Sequence, residues 1–266
     1  MNRLLDLSGQ IVELAQRAGH QILRFYSGRP SVTLKKDSSP LTAADQASHD
    51  FLVNSLRSVI PDVQVISEES EEEINAQDSV GLHWLVDPLD GTKEFIKGTN
   101  EFTVNVALVE RGTPILGIVH APALDVTYYG GRDLGAWKQI ANDTAISIST
   151  RRADLSRMAV VASKDHAGPL VNSMLGRISN PELKSMGSSL KFCLVAEGKA
   201  DLYLRDLPTM EWDTAAAHCI VRAAGGEIYT LEGNPLSYGK PALKNPAIMT
   251  IGDATLDWQA LISEGV

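Results

Sequence analysis

The chain has 266 residues, 44% of them hydrophobic, and a formal net charge of −9, which is ample material for one large core or two smaller lobes. The acidic balance argues against general nucleic-acid binding, which needs a basic face. No run of eighteen apolar residues is present, so no transmembrane helix is expected.

Apolar side chains at Leu4, Leu7, Ile11, Leu14, Ala18, Ile22 and Phe25 recur in steps of three and four, which predicts an amphipathic helix from Leu4 to Tyr26. Asp6, Gln10, Glu13 and Arg17 interrupt it, so this is not the unbroken core of a signal peptide. The expected location is the cytoplasm, with loose peripheral association at the inner membrane left open. Lys35–Pro40 reads as a loop. A second helix is expected from Thr42 to about Ser58, where Thr42 and Asp45 have the spacing of a capping box.

The period then shortens. Val63–Ser67 and Leu82–Val86 read as strands. Phe102–Val109 alternates, turns at Glu110–Thr113 and returns as Pro114–His120, with Thr103, Asn105 and Ala107 on one face. A further strand is expected near Val126–Tyr129. In the second half, strands at Met158–Ser163, Ala200–Leu204 and Glu227–Thr230 alternate with helices at Ser188–Glu197 and Asp213–Ala224. The latter stops at Gly225-Gly226. Such alternation predicts an α/β layered lobe. The lobe boundary is placed between Lys138 and Arg157, giving an α+β half over residues 1–150 and an α/β half over residues 151–266. Cys193 and Cys219 sit among apolar neighbours and read as buried thiols.

The most informative segment is Trp84-Leu85-Val86-Asp87-Pro88-Leu89-Asp90-Gly91-Thr92-Lys93-Glu94-Phe95. A strand delivers Asp87, Pro88 is expected to block further sheet pairing, and a turn then brings Asp87, Asp90 and the Leu89 carbonyl to one point. Hard cations such as Mg²⁺ take oxygen ligands of this kind. Gly91 lets the backbone approach a ligand, and a helix starting nearby would offer free N–H groups to an anion. The same residues could also form only an Asx-type polar turn. Glu68 ends a strand as Asp87 does, whereas Glu71–Glu73 read as a solvated run. Asp213 opens a helix, where it reads as an N-cap, a metal ligand, or both. His218 reads as interior packing, and Asp45 as a cap for which a functional role is plausible.

With Glu68-Glu69 upstream and Trp212-Asp213 downstream, the Asp87-Pro88-Leu89-Asp90-Gly91-Thr92 run resembles the inositol monophosphatase superfamily of lithium-sensitive, magnesium-dependent phosphatases. The continuations Lys93-Glu94-Phe95, Met186-Gly187-Ser188-Ser189-Leu190-Lys191-Phe192 and Thr214-Ala215-Ala216-Ala217-His218 resemble its bisphosphate nucleotidase branch in bacterial sulfur assimilation. The resemblance implies a layered αβαβα sandwich. It implies Glu68, Asp87, Asp90, Asp213 and the Leu89 carbonyl as holders of two or three Mg²⁺ ions. It also implies conversion of adenosine 3',5'-bisphosphate to AMP and phosphate, by analogy in a monomer. Activity on the sulfated nucleotide is left open.

In the mechanism these residues suggest, Glu68 and Thr92 orient the attacking water, and Asp45 holds Thr92 or an additional metal-bound water. Asp90, Asp213 and the backbone of Gly91 and Thr92 contact the phosphate side. Gly187, Ser188 and Lys191, with Ser163 and His166 at the end of another strand, are the candidates for nucleotide contacts. The rival readings are an inositol or sugar monophosphatase and a non-catalytic nucleotide-binding regulator. The latter would be expected to lose Glu68, Asp90 or Thr92, and all three are present. No GxxxxGK[ST] phosphate loop or G-x-S-x-G elbow occurs.

Overall fold

The structure is a computed structural model that describes residues 3–26, 32–34, 40–70, 81–161 and 168–264. Most of the predicted loop at Lys35–Pro40, the acidic run Glu71–Glu73, and the nucleotide-contact candidates Ser163 and His166 lie outside the described residues.

Helix α1 (Arg3–Leu23) buries Ile11, Ala15, Ala18 and Ile22 along one stripe, as its periodicity requires. A short ribbon, β1 (Val32–Leu34) with β2 (Pro40–Thr42), leads into α2 (Ala43–Val59). The capping box forms: Ala44 N–H donates to Thr42 Oγ1, and Thr42 N–H donates to Asp45 Oδ2 at 2.8 Å.

Seven strands then build one sheet in sequence order: β3 (Gln64–Ser67), β4 (Leu82–Asp90), β5 (Thr103–Glu110), β6 (Thr113–Ala121), β7 (Val126–Gly131), β8 (Gly135–Ile140) and β9 (Ile146–Ile148). Only β3 and β4 run parallel; the remaining pairs are antiparallel. The six-residue helix α3 (Thr92–Lys97) follows β4 directly. The second half adds β10 (Ala159–Val161), α4 (Pro169–Leu175), β11 (Glu182–Lys184), α5 (Leu190–Ala196), β12 (Leu202–Arg205), β13 (Thr209–Met210), α6 (Ala215–Ala223), β14 (Glu227–Thr230), β15 (Lys244–Asn245), β16 (Ile248–Ile251) and α7 (Trp258–Glu264). Its five-stranded sheet has the order β11-β10-β12-β16-β14.

Strand alternation assigns the layers. Trp84, Val86, Val104, Val106 and Leu108 face α1 and α2 in one apolar cluster. Their neighbours Leu85, Ala107 and Val109 face the opposite way, into a second cluster with Phe192, Val195, Ala216 and Ile220 of α5 and α6 and with Tyr203 and Ile248 of the second sheet. The far side of that sheet offers Val160, Leu202, Leu204 and Met249 to Val171, Met174 and Trp258 of α4 and α7. Helices, sheet, helices, sheet and helices therefore stack as αβαβα, the expected sandwich. Fully burying a large apolar side chain in such clusters contributes roughly 1.5–3 kcal/mol.

The central helix layer sits close against the first sheet. A Cβ added at Gly117 of β6 would lie 2.1 Å from the Ala216 carbonyl oxygen of α6, so glycine on one side and the alanine run on the other are what permit the contact. Gly225, at φ +103°, ends α6, and Gly226 N–H bonds back to the Val221 carbonyl at 2.9 Å. Cys193 and Cys219 are buried free thiols. His218 is buried between Glu227 (2.6 Å) and the Tyr238 hydroxyl (3.0 Å), a packing role. Among the described residues no helix is long and apolar enough to cross a membrane.

Candidate active site

The acids converge because the end of β4 is bulged. Regular alternation would send Asp87 and Asp90 to opposite faces. Instead Asp87 pairs with Asn105 and Asp90 with Thr103, so three steps on β4 match two on β5. The extra residue of this β-bulge restores both aspartates to the inner face. Pro88 therefore interrupts the ladder but does not end it, in contrast to the turn its sequence suggested. Missing its own N–H, it suits the unpaired stretch, and its carbonyl accepts a 2.8 Å hydrogen bond from buried Ser48 of α2.

Glu68 follows β3, and its N–H continues the parallel pairing to the Val86 carbonyl at 3.1 Å. His49 of α2 ties down the same end through Ser67 Oγ at 2.8 Å. Asp213 precedes α6 by two residues and does not cap it. The cap position is Thr214, and Asp213 Oδ2 accepts from Met210 N–H at 2.8 Å. The loop is fixed from both sides. Fully buried Glu211 accepts from Gly239 N–H, Lys240 N–H and Lys240 Nζ. Asn245 Nδ2 bonds the Met210 carbonyl at 2.8 Å and lies 2.9 Å from Thr214 Oγ1.

Glu68, Asp87 and Asp213 each offer a carboxylate oxygen within 4.8 Å of the others. Asp90 stands beside them. Its Oδ2 accepts from Ser188 Oγ at 2.6 Å and Ser189 N–H at 2.7 Å, with Ser189 Oγ at 2.8 Å. Ser189 Oγ also lies 2.9 Å from the Asp213 carbonyl, so one hydroxyl links two of the acidic segments. The Leu89 carbonyl is 3.3 Å from Thr92 Oγ1, which is also 3.3 Å from Asp45 Oδ1. Asp45 thus caps α2 with one oxygen and meets Thr92 with the other.

Burial, followed by the charges of Glu68, Asp90 and Asp213, drives the Asp87 carboxyl well above the usual carboxylate range. Burial and then Asp90 push Asp213 up to about 8. Crowded carboxylates of this kind must take up protons or a cation to coexist. The all-oxygen donor set fits a hard divalent ion.

The nucleotide-contact candidates are distributed differently from their expected roles. Ser188, at φ +54°, lies ahead of α5, and its hydroxyl serves Asp90. Gly187 N–H donates to Glu101 Oε2 at 2.7 Å, and an added Cβ would be 2.7 Å from the Glu101 carbonyl oxygen. Gly187 is therefore needed for close packing at the rim. Lys191 lines the cavity beside the acids.

Beside the acids opens a cavity of about 250 Å³, lined among others by Glu68, Thr92, Lys191, Tyr203, Arg205 and Asp213. Sequence reasoning missed Tyr203 and Arg205, and it read Ser189 with Ser188 as a nucleotide contact where its hydroxyl bonds Asp90. A lone arginine after an apolar strand has no distinguishing local pattern, although the strand at Ala200–Leu204 was itself legible.

The inositol monophosphatase family model matches residues 6–259. The chain is 44% identical over 231 residues to the 3'(2'),5'-bisphosphate nucleotidase CysQ of Escherichia coli strain K12, covering 86% of this chain and 92% of that protein. Identity to the enzyme of the same name from Haemophilus influenzae is 36% over 264 residues, covering 96% of both chains. The crystal structure of CysQ from Bacteroides thetaiotaomicron, a bacterial member of the inositol monophosphatase family, superposes with a TM-score of 0.78. That match has 38% identity and covers 90% of this chain and 94% of that one.

Proposed function

The chain belongs to the inositol monophosphatase family, and from that premise we propose that it is a magnesium-dependent phosphomonoesterase converting adenosine 3',5'-bisphosphate to AMP and phosphate. Enzymes of this family are metal-dependent. The observation that carries the proposal is the meeting of Glu68, Asp87 and Asp213 within 4.8 Å, at the edge of a cavity that also contains Lys191 and Arg205. Identity of 36–44% to proteins named 3'(2'),5'-bisphosphate nucleotidase supports the substrate class.

Glu68, Asp87, Asp90, Asp213 and the Leu89 carbonyl are assigned to hold two or three Mg²⁺ ions. Bound there, the ions supply acidification of water and neutralisation of charge on the phosphoryl and leaving oxygens. The chain's own groups do the positioning. Thr92 Oγ1, oriented by Asp45 and the Leu89 carbonyl, and the Glu68 carboxylate aim a water at phosphorus. Gly91, at φ +89°, turns the chain into α3. The first N–H groups of a helix have no intrahelical acceptor, and those of Gly91 and Thr92 are assigned to the phosphate oxygens. Ser188 and Ser189 hold Asp90 in register with Asp213.

Phosphate release from adenosine 3',5'-bisphosphate and from inositol 1-phosphate, measured side by side, tests the proposal. A kcat/KM for the nucleotide at least about tenfold higher, a difference of about 1.4 kcal/mol in the barrier, is expected. Preference for inositol 1-phosphate would overturn the substrate assignment.

A further inference from the structure

Strand β5 is apolar over most of its length, with Val104, Val106, Leu108 and Val109 all buried, yet it also carries two buried polar side chains, Thr103 and Asn105. A hydroxyl or amide taken out of water is costly unless it is hydrogen-bonded. Both residues lie on one face of the strand. In the register of the sheet Asn105 stands opposite Asp87, and Thr103 opposite Asp90. Ala107, next along that face, packs into the apolar cluster with α5 and α6. The polar pair is therefore confined to the stretch of β5 that passes the acids.

Their bonds lead to one carboxylate oxygen. Asn105 Oδ1 accepts from Thr103 Oγ1 at 2.9 Å, and Asn105 Nδ2 donates to Ser189 Oγ at 2.9 Å. An amide nitrogen can only donate, so Ser189 Oγ accepts there. Its single proton is left for Asp90 Oδ2, 2.8 Å away, or for the Asp213 carbonyl at 2.9 Å. Thr103 Oγ1 also lies 2.6 Å from Ser188 Oγ, the other hydroxyl on Asp90 Oδ2. Ser188 Oγ, Ser189 N–H and Ser189 Oγ thus crowd Oδ2. Asn105 Nδ2 and Thr103 Oγ1 stand behind them at 3.4 and 3.5 Å. Among the described residues no donor reaches Asp90 Oδ1. One oxygen of this carboxylate is saturated, and the other is left open.

We propose that Thr103 and Asn105 are positioning residues: through Ser188 and Ser189 they lock the rotation of the Asp90 carboxylate, so that Oδ1 is the oxygen it presents to a cation. This rests on the metal assignment in the reading above and adds the residues that orient one of its ligands. Carboxylates that ligate a metal are themselves held by hydrogen bonds, and losing such a partner costs roughly 10- to 100-fold in metal affinity or activity. The competing role is packing alone, in which the pair only fastens the segment ahead of α5 to the first sheet.

The test titrates Mg²⁺ into metal-free protein, without substrate, and follows binding by calorimetry. Asn105→Ala and Thr103→Val should each raise the Mg²⁺ Kd roughly 10- to 100-fold. The Mg²⁺ concentration that half-activates phosphate release should rise in parallel, while KM for the nucleotide at saturating Mg²⁺ stays near wild type. Thr103→Ser, which keeps the hydroxyl, should restore most of the affinity. Because Asn105 acts through Ser189, adding Asn105→Ala to Ser189→Ala should weaken binding little further. A lower Tm with an unchanged Mg²⁺ Kd in both single variants would make the pair structural and overturn the proposal. Fully additive losses in the double variant would overturn it too. Wild-type protein that binds no Mg²⁺ would remove the metal assignment and this proposal together. Wild-type protein that shows the predicted Mg²⁺ behaviour but releases no phosphate from adenosine 3',5'-bisphosphate would remove the substrate assignment and support this proposal. If Asn105→Ala fails to fold, Thr103→Val against Thr103→Ser decides, and equal Mg²⁺ affinity in those two overturns it.

Discussion

Asp87 and Asp90 enter the same space because Asp87 pairs with Asn105 and Asp90 with Thr103 across a bulge. The ladder absorbs one residue, and two aspartates that strict alternation would separate face Glu68 and Asp213 together. That single irregularity gathers the acids on which the proposed metal binding depends.

Replacing Asp90 by Asn tests the consequence. The amide keeps an oxygen to accept from Ser188 and Ser189, so circular dichroism and Tm should stay close to wild type. Removing a carboxylate from a metal site worth several kcal/mol of charge stabilisation should lower kcat by on the order of 10³-fold. Near-normal turnover at saturating Mg²⁺ would remove Asp90 from the site.

Asp45 and Thr92 are predicted to act as one unit. Thr92→Val should lower kcat with little change in Tm, since among the described residues Thr92 Oγ1 meets only Asp45 and the Leu89 carbonyl. Asp45→Ala should lower kcat similarly and also cost about 1 kcal/mol of stability, because it breaks the capping box. In a double-mutant cycle the kcat effects should be strongly non-additive. Additive losses would uncouple the pair.

Stability should depend on pH with an unusual sign when no divalent ion is present. The Asp213 carboxyl is raised from an ordinary value of 3.8 to about 8, and Asp87 is raised as well. The folded state then binds more protons than the unfolded state across that interval. Stability is full below about pH 4 for these groups and is lost as pH rises towards 8. A Tm series in chelator should fall over this range, and added Mg²⁺ should remove the fall. A metal-free Tm rising steadily from pH 4 to 8 would contradict the buried cluster.

Much of this arrangement is legible in the sequence because it depends on local signals. The capping box at Thr42 and Asp45, the alternation of Thr103, Asn105 and Ala107, and the double glycine after α6 each carry their structure in a few residues. The αβαβα order, by contrast, came from resemblance, since no local pattern states which helix covers which sheet face. Pro88 reads as a stop because sheet pairing needs an N–H that proline lacks, and only the partner strand reveals that pairing resumes at Asp90. Asp213 looked like a helix cap because an acid before an alanine run usually is one. The loop, anchored by the distant Gly239, Lys240 and Asn245, places it two residues outside α6. Strands β8, β9 and β11 are short and partly polar, so they carry too little periodicity to be recognised. Arg205 and Lys191, fourteen residues apart in the chain, come together only in the cavity lining.

The most direct test strips the protein with chelator and follows phosphate release from adenosine 3',5'-bisphosphate while Mg²⁺ is titrated back. Silence in the stripped protein and full recovery on saturation are predicted, because four crowded acids without a cation cannot organise the attack. Full speed in the stripped protein would contradict the metal-centred account at its root.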